Sequence, residues 1–101
     1  MIDRLQIDVD SGKLVKFCQK HHIKKLAFFG SVLRDDFRPD SDVDVLVEFE
    51  EDHVPGLIRL SGMEIELSEV LGRKADLNTP GFFNAPLRKR ILAKAKVQYA
   101  A

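Results

Sequence analysis

The chain has 101 residues, 45% of them hydrophobic and 32% charged, and its sixteen basic and sixteen acidic side chains give a formal net charge of zero. That length suffices for one small core, so a single domain over 1–101 is expected; no apolar run approaches the ~20 residues of a membrane span, and the balanced charge argues against bulk affinity for nucleic acid. MIDRLQIDVD has no leader-like apolar segment, and Cys18 has neither a disulfide partner nor a Cys/His cluster, so a cytoplasmic setting is expected, with Cys18 packed in the core.

From about 11 to 22, Leu14, Phe17 and Cys18 recur at helical spacing with Val15 beside them, behind Asp10 or Ser11 as the cap. KLAFF (25–29) is a short apolar run stopped by Gly30 and reads as a buried strand. VDVLVEF (43–49) alternates, with Val43, Val45, Val47 and Phe49 on one face and Asp44, Leu46 and Glu48 on the other. Pro55 or Gly56 opens a second helix whose stripe of Leu57, Leu60, Met63, Glu64, Leu67, Val70 and Leu71 closes at Gly72. KADL (74–77) is a third short strand, punctuated by NTPG. Asn84 or Ala85 caps a last helix with Pro86 in its first turn, where Leu87, Ile91, Leu92 and Ala95 are expected to face inward and the basic residues outward. Tyr99 is expected to pack in a short edge segment. Helix, strand, turn, strand, helix, strand, helix implies an α/β (α+β) fold, a small mixed sheet flanked by helices.

The zero net charge hides a split. Nine acidic residues lie between Asp35 and Asp52 against Arg38 alone, while five basic residues and no acid follow Asp76. Charge runs usually mark solvated faces, and so do basic helices, but the spacing here is particular. Residues i and i+2 of a strand share a face, so Asp42 and Asp44 present two carboxylates side by side. Such a pair repels unless a cation lies between; hard oxygen donors with no His or Cys nearby favour Mg²⁺ or Mn²⁺ over Zn²⁺. If KADL pairs with 43–49, Asp76 joins them. Three converging aspartates can hold two Mg²⁺ ions, which points to phosphoryl or nucleotidyl transfer. Gly30 and Ser31 offer close backbone approach, N–H donors and a hydroxyl for phosphate oxygens. Arg34 either reaches a phosphate or pairs with Asp35 or Asp42. A Gly-Ser after a strand is commonly a mere turn and a lone SDVD a capped loop; their fixed order is the specific signal. His21, His22 and His53 are assigned to surface or capping roles, with no metal case.

FFGSVLRDDFRPDSDVDVLVEF, followed by ELSEVLGRKADLNTP, resembles the minimal nucleotidyltransferases of the DNA polymerase beta superfamily, the group that includes antitoxins paired with HEPN-domain toxins. The resemblance runs from about Leu14 to Tyr99. It implies the minimal nucleotidyltransferase fold; Gly30 and Ser31 toward ATP; Asp42 and Asp44 as ligands of both metals; and Asp76 completing the catalytic metal's shell and helping to accept a proton. Many members have Arg-Gly where this chain has Arg34-Asp35. It also implies transfer of AMP from ATP to a hydroxyl, in the antitoxin group a tyrosine of the cognate toxin. A HEPN-family toxin is the implied partner, and assembly with it or with further copies stays open. Two alternatives remain: a non-catalytic module that masks its partner sterically, and transfer to a small molecule. Phe82 and Phe83 fit an interface or the core.

Overall fold

In the structure, a computed structural model, residues 9–33, 38 and 41–101 are described. Asp10 caps α1 (Ser11–Lys20), its carboxylate accepting from the Lys13 N–H at 3.1 Å, and Leu14, Phe17 and Cys18 form the buried face. β1 (Ile23–Phe29) starts two residues before the apolar run suggested. Ile23 is buried and opposite Phe49, so pairing extends the strand through Lys24, which no hydrophobic pattern marks. β2 (Val43–Phe49) follows, then α2 (Leu57–Leu71), which ends at Gly72 in the left-handed conformation, φ 73°. β3 (Ala75–Asn78), α3 (Ala85–Lys94) and β4 (Lys96–Ala100) complete the order.

The sheet order is β3-β2-β1-β4, with β1 antiparallel to both β2 and β4 and β2 parallel to β3. One face carries Leu26, Phe28, Val43, Val45, Val47, Ala75 and Leu77, packed against Leu14 and Phe17 of α1 and Leu60, Met63, Leu67 and Leu71 of α2. That layer holds the core. Cys18 lies within it as expected, and burial pushes its thiol up to about 12, which keeps it protonated and inert at neutral pH.

Three details depart from the sequence expectations. Tyr99 does lie in an edge segment, but that segment is a full strand, paired to β1 from Lys25 to Phe28. Leu57 opens α2 on its outer side and is 74% exposed. The predicted inward stripe of α3 is formed in part: Leu87 and Ile91 turn toward Phe29 and Gly30, but no residue of this helix is buried, and Leu87 and Leu92 are 41% and 42% exposed. Leu87 and Ile91 face Phe29 and Gly30 across an open cavity, so the helix walls a cleft and seals no second core.

α1 and α2 are tied at their edge by Glu66, which accepts from Lys20 Nζ at 3.2 Å and hydrogen-bonds His21 Nε2 at 3.0 Å. Burial pushes the Glu66 carboxyl up, but hydrogen bonds from His21 and Lys20 outweigh it and hold the group below its ordinary value. A depressed folded-state value adds stability that is present above the unfolded carboxylate range and lost as pH falls through the folded value. The stability gap between the native chain and Glu66→Gln is therefore expected to be open above about pH 4.5, the ordinary glutamate value, and to close in more acid solution. Urea midpoints at a series of pH values measure it; a gap independent of pH contradicts the assignment.

Candidate active site

The aspartates project from the sheet face opposite the core. At the end of β1, Phe29 sits opposite Asp44 in the antiparallel register. The next residue, Gly30, has φ 76° and turns the chain into a 3-10 turn over Gly30–Leu33. A side chain does not fit there: a Cβ on Gly30 would run into Oδ2 of Asp44. The backbone of this turn thus lies directly against the carboxylate, an approach that glycine alone permits.

Asp44 pairs in turn with Asp76 across the parallel β2–β3 ladder, in which Val43 is matched to Ala75 and Val45 to Leu77. Asp42 precedes the strand by one residue and shares the face of Asp44, with Val43 between them buried. Asp42 is about half exposed and faces Lys74 Nζ at 3.9 Å. β3 is a sheet edge, and its outward N–H groups are met by α2: the N–H of Ala75 donates to Ser68 Oγ at 2.9 Å, and that of Leu77 to Glu64 Oε2 at 2.8 Å. These two bonds flank Asp76 and fix its register. They also explain why a glutamate interrupts the apolar stripe of α2, a function the periodicity did not reveal.

Asp42, Asp44 and Asp76 are thus brought to one edge and one face, beside the Gly30 turn. The Ser31 backbone belongs to that turn; its side chain, and Arg34 entirely, lie outside the described residues. Among the described residues, the one trio of His, Cys, Asp or Glu side chains whose ligand atoms come within 4.8 Å of one another is His22, Glu50 and His53. The aspartates are juxtaposed by register, with Asp44 and Asp76 matched across neighbouring strands. Their all-oxygen donor set and their alignment on neighbouring strands fit Mg²⁺ or Mn²⁺, which would draw them together.

A cavity of about 190 Å³ adjoins the turn, lined by Phe29, Gly30, Leu87, Arg90, Ile91 and Lys94. Phe29 is also held edge-on by Phe83, ring centroids 6.0 Å apart, so one of the two phenylalanines of NTPGFFNAP packs at the site while Phe82 stays 52% exposed. Arg90 and Lys94 are basic side chains that the sequence reading assigned mainly to solvation. Their signal was the helix face at 87, 90, 91 and 94, which mixes two leucine-type residues with two cations one turn apart. Apolar walls beside paired cations, next to a glycine turn and three carboxylates, suit a nucleotide with a charged tail.

A mixed four-stranded sheet presenting this turn and this carboxylate row has the architecture of a nucleotidyltransferase. The chain matches the family described as nucleotidyltransferase domain over residues 12–99 and belongs to that family; it is a nucleotidyltransferase. A Methanocaldococcus jannaschii protein assigned as a protein adenylyltransferase is 37% identical over 91 residues, covering 90% of this chain and 96% of the relative. A solved structure assigned as a minimal nucleotidyltransferase superposes with a TM-score of 0.69 at 30% identity, covering 84% of this chain and 85% of that one. The fold also matches a chain in the structure of tri-AMPylated Shewanella oneidensis HEPN toxin in complex with MNT antitoxin, with a TM-score of 0.66 at 17% identity over 90% of this chain and 70% of that one. No described helix is long and apolar enough to cross a membrane.

Proposed function

We propose that this chain, as a single nucleotidyltransferase domain acting in the cytoplasm, transfers AMP from ATP to a tyrosine hydroxyl of a HEPN-family toxin and so serves as its antitoxin. The observation that carries the reading is the register that sets Asp44 beside Asp76 and against the Gly30 turn, with Asp42 on the same face. The relative assigned as a protein adenylyltransferase and the AMPylated HEPN toxin complex support the chemistry and the partner. The outer side of α2 and the loop before it offer apolar side chains to a protein partner: Val54, Leu57, Ile58 and Ile65 are 69%, 74%, 91% and 66% exposed.

In this reading ATP lies along the Gly30 turn, its phosphates met by backbone N–H groups and by Arg90 and Lys94, and its base against Phe29, Leu87 and Ile91. The acceptor oxygen attacks the α-phosphorus; a new P–O bond forms as the bond to the bridging oxygen breaks and pyrophosphate leaves. The hydroxyl proton passes to Asp76 and on to solvent. Asp42, Asp44 and Asp76 would hold two Mg²⁺, which supply charge neutralisation at the phosphates and a more acidic acceptor hydroxyl. The added nucleotide brings bulk and negative charge to the toxin surface, sufficient to obstruct an RNase site.

The test incubates the chain with ATP labelled at the α-phosphate, Mg²⁺ and the product of the neighbouring gene. Label on a tyrosine of that protein is expected, and none with an Asp42→Asn, Asp44→Asn double variant. A double variant that still neutralises the toxin without transferring label would establish steric masking instead. Label on neither protein but on a small molecule would identify a different acceptor.

A further inference from the structure

At the opposite end of the sheet from the aspartates, the structure brings together His22, Glu50 and His53, whose ligand atoms all lie within 4.8 Å of one another. We propose that these three side chains form a binding site for a borderline divalent transition metal, zinc above all, distinct from the magnesium site of the transfer reaction. The two sites stand at the two ends of the β1–β2 pair. β1 has seven residues, so roughly 20 Å of strand separates them.

The placement is built by the backbone. The Glu50 N–H donates to the His22 carbonyl at 2.9 Å, closing the β1–β2 ladder beyond Ile23 and Phe49. The His53 N–H donates to the Glu50 carbonyl at 2.9 Å in the 3-10 turn Glu51–His53, which swings His53 back over the strand end. His22 itself has φ 56°, a conformation uncommon for a residue with a side chain. The result is two imidazoles stacked with centroids 3.7 Å apart and planes 20° from parallel, with a carboxylate beside them. All three reach solvent, so an ion has access.

The donor chemistry decides the metal. Two imidazole nitrogens and one carboxylate oxygen are the ligands of zinc, nickel or copper and poor ligands of magnesium. Zinc holds nitrogen and oxygen donors at about 2.0–2.2 Å, so tetrahedral ligands sit about 3.4 Å apart. In the present stack the in-plane lone pairs run side by side, so ligation asks at least one of the solvent-accessible imidazoles to rotate about its side-chain bonds until the two nitrogens converge. Three protein ligands leave a position for water. Glu51 and Asp52 follow Glu50 directly and favour a dication electrostatically. A bound ion would pin the turn leading into α2 to the start of β1, so metal binding stabilises the fold by mass action.

The test is calorimetric titration of the chelator-treated 101-residue chain with zinc chloride in an Asp42→Asn, Asp44→Asn background, which removes competing carboxylates. One zinc per chain is expected, magnesium chloride giving no heat in the same background. Because loss of an outer-shell partner alone weakens metal sites 10–100-fold, His53→Gln and Glu50→Gln are each expected to weaken zinc by about 100-fold or more. Cobalt substitution should give the visible absorption of nitrogen-ligated, low-coordinate Co²⁺, lost in His53→Gln. Absence of saturable zinc binding, or binding undiminished in both variants while circular dichroism shows them folded, overturns the site. Should one variant fail to fold, the other and the cobalt spectrum decide. Transfer to a toxin is not read here, so failure of either proposal leaves the other standing.

Discussion

Asp44→Asn is expected to lower the rate of nucleotidyl transfer by about 10³-fold or more while leaving the fold intact. Asparagine has the same shape, and Asp44 stands half-buried on the sheet face away from the core, so packing loses nothing. What disappears is one full negative charge at the centre of the carboxylate row, between the Gly30 turn and Asp76. Metal-assisted stabilisation of a developing phosphate charge is worth several kcal/mol, and about 4 kcal/mol corresponds to a thousandfold in rate. The loss should appear in kcat more than in thermal stability. Steady-state transfer rates alongside a melting curve measure both; a variant that retains a tenth of native activity places the essential charge elsewhere.

Gly30→Ala is expected to damage both activity and stability, and the two losses have separate causes. Holding an L-residue in the left-handed region costs roughly 1–2 kcal/mol, which lowers Tm by about 4–15 °C in a domain of this size. The new methyl group also meets the end of the Asp44 side chain. That side chain can rotate away at little energetic cost, so the fold survives, but the carboxylate then leaves its place. Misplacing a catalytic group by about 1 Å costs on the order of 10²-fold in rate, and at least that loss is expected. Gly72 supplies the control. It has φ 73° at the end of α2, and nothing lies within 4 Å of where its Cβ would stand. Gly72→Ala should reproduce the drop in Tm and leave transfer intact. If both alanine variants lose activity equally, stability and not the site explains the effect.

Much of this arrangement was legible in the sequence because local patterns encode it. The alternation of VDVLVEF, the stripe Leu60, Met63, Leu67, Leu71 and the caps Asp10, Gly72 and Asn84 each reflect a single element and its own periodicity. Asp42 and Asp44 shared a face by strand geometry alone, and their partnership with Asp76 needed just one further assumption, the pairing of β2 with β3. What escaped depends on contacts between distant segments. Glu64 looked like a flaw in an apolar stripe until the edge of β3 was seen to need its oxygen. His22, Glu50 and His53 looked like unrelated surface residues because only the antiparallel register folds 22 onto 50. α3 misled in the opposite sense: Leu87 and Ile91 have helical spacing, but they border an open cavity beside Phe29 and Gly30 in place of a packed layer, and spacing says nothing of how closely the elements across the gap approach.

The position of β4 has a consequence for how the protein is made. β1 is an inner strand only because residues 96–100 return to pair with it. On the ribosome, at about 5–20 residues per second, the interval between the emergence of Phe29 and of Lys96 is roughly 3–13 s. Throughout it LAFF presents an open, sticky border of the kind that recruits foreign strands. The nascent chain is thus most vulnerable to aggregation before it is an enzyme, and its last strand acts as the seal that ends that exposure.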